Sequence, residues 1–281
     1  MIASWIRQGE YINHITGEVN FLNLLMKKNK VVLTIHDCGM VYRKKGLSRY
    51  LVKKIYLDWP LKKAAVTTVV SEVTKQDLIK LTGNKKADIR VIPNFINDIF
   101  KPSSKLFSKQ KPVILNVGTS YNKNLLRLIE AIQGIDCKLL IIGKLNHDQL
   151  DKLTQCEIDY TNCNNLTTTE MLKCYIESDI LVFVSTYEGF GMPIIEANCV
   201  ERVVVTSDIS SMPEVAGDAA CFVDPFSVDS IKAGILKVIN DDEYRNGLIE
   251  KGRRNWKKYD PNRISAQYYS IYQEVYKSIS N

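Results

Sequence analysis

Short apolar runs alternate along this chain with longer segments in which apolar side chains recur every three or four positions. Runs rich in β-branched residues predict buried strands, and the longer periodic segments predict amphipathic helices. Strands are predicted at residues 11–15, 31–35, 65–70, 89–92, 113–117, 138–142, 157–160, 180–184 and 203–206. Helices are predicted at residues 19–26, 47–63, 72–81, 124–132, 170–177, 193–199, 228–239, 243–257 and 261–279. This alternation is typical of α/β proteins with parallel sheets, in which ligands bind beyond the carboxyl ends of the strands.

A change in composition divides the alternation into two series. Residues 95–111 contain Pro102, Ser103, Ser104 and several lysines, which is typical of a linker. The last predicted helix carries an apolar stripe at helical spacing, and such a stripe predicts packing against a core. The stripe consists of Ile264, Tyr268, Ile271, Tyr272, Val275 and Ile279.

Length and composition indicate a globular protein. With 281 residues, 45% of them hydrophobic, the chain can bury the core of one or two domains. No apolar run approaches the roughly 18 residues of a membrane-spanning helix, and residues 1–10 lack the features of a secretion signal. Seven scattered cysteines without a Cys-x-x-Cys pair are typical of buried, reduced thiols, and three histidines argue against a structural metal site. We therefore expect a cytoplasmic protein.

The net charge of +7 is unevenly distributed. Residues 1–111 hold 21 Lys and Arg against 8 Asp and Glu, a net charge of +13, whereas residues 112–281 hold 17 against 23, a net charge of −6. A basic first half is suited to anionic lipid headgroups at the inner face of a membrane or to a phosphate-bearing acceptor. It is equally typical of a solvated surface. No nucleic-acid-binding motif accompanies the charge, so nucleic acid is not an expected partner.

The loop after the predicted strand 180–184 carries the clearest chemical pattern. It reads Ser-Thr-Tyr-Glu-Gly-Phe-Gly-Met-Pro-Ile-Ile-Glu over residues 185–196. Gly189 and Gly191 allow the backbone to approach a ligand closely, and Pro193 suits the first position of a helix. Neither Gly191 nor Met192 can cap the helix with a side chain, so a bound anion is expected to satisfy its free N–H groups.

Two carboxylates bracket this loop. Glu188 lies in the loop and Glu196 is expected in the first turn of the helix, so both flank the predicted anion site. A carboxylate accepts hydrogen bonds from two hydroxyl groups, which suits a ribose diol. Alternatively, Glu196 merely complements the helix dipole and Glu188 is a solvated loop residue.

Two further candidate residues lie at predicted element ends. His36 follows the strand 31–35, where either a ligand contact or a structural role is possible. Lys123 precedes the helix 124–132, where a cation opposes the helix dipole; this placement indicates an anion nearby unless the flexible side chain turns away into solvent.

The loop Glu-Gly-Phe-Gly-Met-Pro-Ile-Ile-Glu resembles the Glu-x7-Glu signature of the retaining, nucleotide-sugar-dependent glycosyltransferase family 4, which has the GT-B fold of two Rossmann-like parallel-sheet domains. The resemblance implies that Glu196 holds the donor ribose and that Glu188 faces the sugar near its anomeric carbon. Thr34-Ile-His-Asp37 resembles the strand end that places a histidine, here His36, beside the sugar and the acceptor.

A second loop supports the same resemblance. Val117-Gly-Thr-Ser-Tyr-Asn-Lys-Asn124 resembles the loop whose lysine, here Lys123, contacts the donor diphosphate. Many family members carry Arg where Thr119 stands, so one cationic phosphate contact is missing or supplied elsewhere. The resemblance implies Glu188 and His36 as catalytic residues. It implies donor binding by Gly118, Thr119, Lys123, Gly143, Gly189, Phe190, Gly191, Met192 and Glu196.

The first predicted domain departs from the family pattern. Family members open with strand–loop–helix units ahead of the counterpart of Tyr11, and these units are absent here. We therefore expect a partial acceptor-side domain at 1–108, a nucleotide-sugar-binding domain at 109–262, and a terminal helix at 263–281 that crosses back to the first domain. Two explanations are open: the sequence is a truncated reading of a longer gene, or a partner chain supplies the missing segment.

These observations lead to two main hypotheses. In the first, the chain is a retaining glycosyltransferase that moves a hexose from a nucleotide diphosphate sugar to a glycan or lipid-linked glycan during surface polysaccharide synthesis. The chain has no Asp-x-Asp motif, so neither a metal nor a resident cofactor is expected. In the second, it is a donor-binding subunit that is inactive without a partner. A GT-B epimerase or phosphorylase fits the fold but not the Glu-x7-Glu loop.

Overall fold

The computed structural model describes residues 11–17, 19–84 and 87–280, with side chains to residue 278. Residues 1–10, whose sequence lacks the features of a secretion signal, and the side chain of Ile279 lie outside this description. The chain forms two compact units. One comprises the residues up to Phe95 together with those from Asn262 onwards, and the other is Ile96–Pro261.

The first unit is built on a parallel sheet in the order β1-β2-β3-β4 among the described residues. Its strands are β1 (Asn13–Ile15), β2 (Val31–Ile35), β3 (Val66–Val69) and β4 (Ile89–Val91). Its helices are α1 (Gly39–Tyr42), α2 (Gly46–Lys53), α3 (Trp59–Lys63), α4 (Glu72–Thr82) and α12 (Pro261–Ser280), which begins one residue before the unit boundary. All five residues of β2 are buried, as its continuous apolar run predicts.

Two predicted helices of this unit differ in form. The predicted helix 19–26 is a 3-10 helix at Asn20–Leu25, stabilised by the Asn23 side chain, which donates a hydrogen bond to the Pro60 carbonyl. The predicted helix 47–63 is continuous, but Lys54–Asp58 forms a π-helical turn between α2 and α3. The buried Asp58 carboxylate pairs there with both Lys53 and Lys54.

The last helix, α12, packs against the first sheet. Ile264, Ile271 and Val275 of its predicted stripe are buried in one cluster with Val32 and Val66. A polar network accompanies this apolar contact: one ring nitrogen of His14 lies 2.6 Å from the Tyr272 hydroxyl, and the other lies 2.7 Å from the Thr34 hydroxyl. Burial lowers the pKa of His14 to about 4, so the ring is neutral at physiological pH.

The second unit has a parallel sheet in the order β10-β9-β8-β5-β6-β7 among the described residues. Its strands are β5 (Val113–Val117), β6 (Lys138–Ile142), β7 (Tyr160–Cys163), β8 (Ile180–Phe183), β9 (Val203–Ser207) and β10 (Cys221–Val223). Its helices are α5 (Leu125–Ile132), α6 (His147–Gln155), α7 (Thr168–Glu177), α8 (Met192–Cys199), α9 (Met212–Ala216), α10 (Val228–Asn240) and α11 (Asp242–Asn255). The predicted fold class of two parallel-sheet α/β domains is confirmed.

The predictions are wrong around α6 and β7. The predicted strand 157–160 is instead β7, displaced towards Cys163, because Glu157 and Ile158 still bond back to the end of α6. The helix α6 escaped prediction because its sequence is mostly polar. Its signal is the capping box of Asn146 and Gln149, in which each side chain bonds the other residue's backbone N–H.

The predicted linker 95–111 has no helix or strand, but it is held against the second unit. That unit begins at Ile96 rather than at 109, because Ile96 and Phe100 are buried and the Ile96 N–H donates to the Tyr259 carbonyl. The buried guanidinium of Arg202 also donates to the Ser103 carbonyl.

Candidate functional site

The order of the second sheet reverses at its centre. The chain runs from β5 outwards through β6 to β7 and then returns to β8 on the other side of β5. In open α/β sheets, ligands bind in the crevice outside such a reversal, at the carboxyl ends of the two central strands. The loops that follow β5 and β8 are the two loops that the sequence predicts to bind a donor.

Two glycines shape the loop after β5. Gly118 has a φ of 92°, and a Cβ atom there would lie 2.9 Å from Cε of Lys123. Gly143, at the end of β6, has a φ of 137°, and a Cβ there would lie 2.8 Å from Cγ2 of Thr119. The absence of side chains therefore brings Lys123 and Thr119 close to the strand ends.

Lys123 is held by Glu188. Its Nζ lies 2.7 Å from Oε1 of Glu188, and the two side chains are only 20% and 15% exposed. The ammonium also lies 4.8 Å from the centre of the Phe183 ring. Lys123 ends a 3-10 helix and is separated from α5 by Asn124, so it does not occupy the predicted start of an α-helix.

Asn122 joins the two loops, and sequence reasoning missed it. Its side-chain N–H groups donate to the Tyr187 carbonyl at 3.0 Å and to Oε1 of Glu188 at 3.3 Å. Its backbone carbonyl accepts a hydrogen bond from Thr186 N–H at 2.8 Å. Only its position beside Lys123 could have indicated this role.

The helix α8 begins without a side-chain cap, as predicted. Gly191 occupies the N-cap with a φ of 116°, and Pro193 is the second helical residue rather than the first. A Cβ at Gly191 would lie 3.7 Å from the Phe183 ring. Lys123 and the start of α8 thus flank the same aromatic ring, which places a cation beside the positive end of a helix dipole.

The residues between Glu188 and this helix are mostly buried. Gly189 and Phe190 are buried, and the Phe190 ring packs edge-on against Tyr259 with centroids 5.5 Å apart. The Phe190 carbonyl accepts a hydrogen bond from Ser211 at 2.6 Å. Met192 is half-buried at the helix start, and the donor-binding roles of Phe190 and Met192 stay predictions.

Glu196 is the fifth residue of α8, and the prediction that it lies in the first turn is wrong. Its Oε2 accepts a hydrogen bond from the Tyr175 hydroxyl at 2.6 Å. Burial raises the pKa of the Glu196 carboxyl, and the Tyr175 hydrogen bond opposes that rise. Tyr175 is fully buried, and sequence reasoning did not identify it.

His36 belongs to the first unit, where it follows β2. Its Nε2 lies 2.6 Å from the Thr16 carbonyl oxygen, and the ring lines a pocket with Asp37, Asn20 and Tyr56. The other predicted site residues all belong to the second unit. The catalytic role of His36 stays a prediction.

Two features are absent from the part of the chain that the structure describes. No group of three or more His, Cys, Asp or Glu side chains there could hold a metal ion. No helix within the same residues is long and apolar enough to cross a membrane. All seven cysteines are free; six are buried and Cys163 is half-buried.

Two parallel α/β units, the second with a glycine loop and an uncapped helix at its sheet reversal, define a protein of the GT-B class. The solved structure of Anabaena HepE in complex with UDP and glucose shows the same fold, with a TM-score of 0.78, 14% identity, and coverage of 97% of this chain and 80% of that one. Residues 98–255 match the family described as glycosyl transferases group 1, and residues 12–99 match glycosyltransferase family 4. The chain belongs to the glycosyl transferases group 1 family.

Several curated relatives are mannosyltransferases, and two of them cover most of this chain. The O-antigen chain mannosyltransferase B of Escherichia coli is 27% identical over 290 residues, which cover 94% of this chain and 75% of the relative. The O-antigen chain mannosyltransferase RfbU of Salmonella typhimurium is 27% identical over 215 residues, covering 73% of this chain and 60% of the relative. The chain thus spans part of the length of these relatives.

Proposed function

We propose that the chain is a retaining glycosyltransferase that transfers a hexose from a nucleotide diphosphate sugar to a glycan or lipid-linked glycan in surface polysaccharide synthesis. The observation that carries this proposal is the mostly buried Lys123–Glu188 pair beside the uncapped start of α8. The mannosyltransferase relatives make mannose the first sugar to test.

In the proposed mechanism, the donor diphosphate binds the N-terminal amides of α8 and draws the Lys123 ammonium away from Glu188. The cation and the amides then stabilise the charge that develops on the leaving phosphate, without a metal. Glu196 accepts hydrogen bonds from the ribose. Because Glu196 lies on α8, the same helix holds both the ribose and the diphosphate.

The same movement frees Glu188. Its carboxylate is then available to face the sugar near the anomeric carbon, where it stabilises developing positive charge. The family resemblance implies that the acceptor attacks on the face from which the phosphate departs, and that the leaving phosphate takes the acceptor proton. Glu188 and His36 position and stabilise the reacting groups in this scheme.

Donor hydrolysis tests the proposal without knowledge of the acceptor. We expect one of UDP, GDP or ADP to bind the full chain in the presence of EDTA, and the matching sugar nucleotide to be hydrolysed slowly. Proton NMR should show the α-anomer of the released hexose before mutarotation. Release of the β-anomer would contradict retention, and failure of every nucleotide to bind would contradict the donor site. Binding without hydrolysis would favour the donor-binding subunit that needs a partner chain.

Tyr175→Phe should shift the pH dependence of nucleotide binding. The Tyr175 hydroxyl stabilises the ionised Glu196 carboxylate, so its removal raises the Glu196 pKa further above the ordinary value. Binding that needs the ionised carboxylate should therefore be lost at a higher pH than in the wild type, while affinity at high pH changes little. Titration calorimetry with the nucleotide identified above, from pH 5 to 8.5, measures this shift. Tyr269→Phe, at an exposed tyrosine of the first unit, is the matched control; an unchanged profile in Tyr175→Phe would refute the link to Glu196.

A further inference from the structure

The segment 42–54 of the first unit, here called the basic segment, is unusually exposed. Every residue from 42 to 51 is exposed, and α2 within it buries no residue at all. Leu47, Tyr50 and Leu51 are 73%, 55% and 49% exposed. A helix in a globular unit normally turns its large apolar side chains towards the core. The first unit, by itself, provides no cover for these three.

The basic segment also carries six positive charges and no acidic residue. Its cations are Arg43, Lys44, Lys45, Arg49, Lys53 and Lys54. Asp58 engages Lys53 and Lys54, and Arg49 lies over the ring of Tyr42. The exposed Arg43, Lys44 and Lys45 directly precede the helix that carries the exposed apolar residues.

Exposed apolar side chains and cations together indicate a membrane-binding helix. A short helix with exposed Leu and Tyr side chains beside a row of cations has the composition of helices that lie in the interface of anionic membranes. Tyr and Trp favour the headgroup level of a bilayer, and Trp59 of α3, next to the basic segment, is 48% exposed. A second copy of the chain is a poorer occupant, because two basic segments would repel each other.

We propose that the basic segment docks the chain on an anionic phospholipid surface, with Leu47, Tyr50 and Leu51 entering the headgroup region and the neighbouring cations contacting lipid phosphates. The proposal does not depend on the donor site. Within the basic residues 1–111, it assigns the contact with the membrane to one defined segment.

Vesicle sedimentation with the full chain tests this proposal. The probes are phosphatidylcholine vesicles and vesicles of phosphatidylcholine with 30% phosphatidylglycerol, at 0.1 M salt. We expect at least a thirtyfold higher partition coefficient on the anionic vesicles. Each cation near an anionic surface contributes about fivefold, so Lys44→Gln/Lys45→Gln should lose about 25-fold. Leu47→Ser/Leu51→Ser should lose at least tenfold on the same vesicles.

A control variant and a check of folding complete the vesicle experiment. Lys173→Gln/Lys257→Gln removes the same charge from exposed positions of the second unit and should bind like the wild type. All substituted positions are exposed, so a circular dichroism melt checks that each variant remains folded. Equal partition on neutral and anionic vesicles would overturn the proposal, as would full binding by Leu47→Ser/Leu51→Ser.

Two further results would also overturn it. One is concentration-dependent dimerisation that is abolished by Leu47→Ser/Leu51→Ser, and the other is binding to RNA at a salt concentration where vesicles are not bound. Nucleotide affinity is measured without vesicles, so failure of this proposal and failure of the donor-site proposal are separate outcomes.

Discussion

Glu188→Gln is expected to tighten nucleoside diphosphate binding while it reduces sugar transfer by two to three orders of magnitude. The Glu188 carboxylate now holds the Lys123 ammonium at 2.7 Å and would repel a diphosphate bound at the same cation. The neutral amide removes that competition. The pair keeps partial contact with solvent, and screened ion pairs contribute on the order of 1 kcal/mol, so the affinity should rise about fivefold.

Turnover should respond in the opposite direction. In the proposed mechanism the freed carboxylate stabilises positive charge at the anomeric carbon, and the loss of one such electrostatic contact typically reduces kcat by about 10²–10³-fold. Calorimetry with the nucleotide and the rate of donor hydrolysis measure the two effects separately. A merely structural Glu188 would lose both together, because a disturbed loop weakens binding as well.

Glu130→Gln is the matched control for this experiment. Glu130 forms an ion pair with Lys152 at 2.6 Å in the same unit, and neither residue belongs to the candidate site. We expect this variant to leave nucleotide affinity and hydrolysis unchanged. We expect the Lys123 ammonium to keep its contact with the Phe183 ring in Glu188→Gln, which would limit any loss of stability.

Glu196→Gln should weaken nucleotide binding by about 10–100-fold without destabilising the fold. Hydrogen bonds to a charged group contribute about 1.5–3 kcal/mol, and the ionised carboxylate is proposed to accept two from the ribose. Calorimetry measures the affinity, and comparison with the 2′-deoxynucleotide shows its source. The wild type should discriminate between the two sugars, and Glu196→Gln should not.

The stability of this variant follows from the pKa of Glu196. Because burial raises that pKa above its ordinary value, the folded state is favoured at low pH, and this advantage is lost as the pH rises through the folded-state pKa. At neutral pH the ionised carboxylate therefore costs stability, and the neutral glutamine removes the cost. Urea unfolding at pH 7 should show equal or greater stability for Glu196→Gln. A clear loss of stability, with ribose discrimination retained, would assign Glu196 a structural role instead.

Glu243→Gln provides the reference for the second experiment. Glu243 is exposed in the first turn of α11, so its substitution changes the net charge equally without touching the loops after β5 and β8. Neither ribose discrimination nor affinity should change in this variant.

The parts of the fold that the sequence predicted best are the strands buried on both faces. The bounds of β2, β5 and β6 agree with those expected. A continuous apolar run is typical of a strand that is buried on both faces of a parallel sheet. The edge strand β7 was misplaced, since it pairs with a single neighbour and is at best half-buried, so its apolar signal is weak. The polar helix α6 was missed for the same reason.

The sequence by itself determined which chemical groups stand at the strand ends: a lysine and a glycine after β5, two acids and a glycine turn after β8. Only the tertiary structure decided how these groups pair. Lys123 meets Glu188 across 65 residues because the reversal of strand order places β8 beside β5. Tyr175 meets Glu196 across 21 residues, between the helices that precede and follow β8. Hydrophobic periodicity indicates that a segment is a buried strand. It does not indicate the place of that strand in the sheet, because strands of similar composition have the same pattern. Their order, and with it the partner of each loop, is decided by the packing of the helices that connect them.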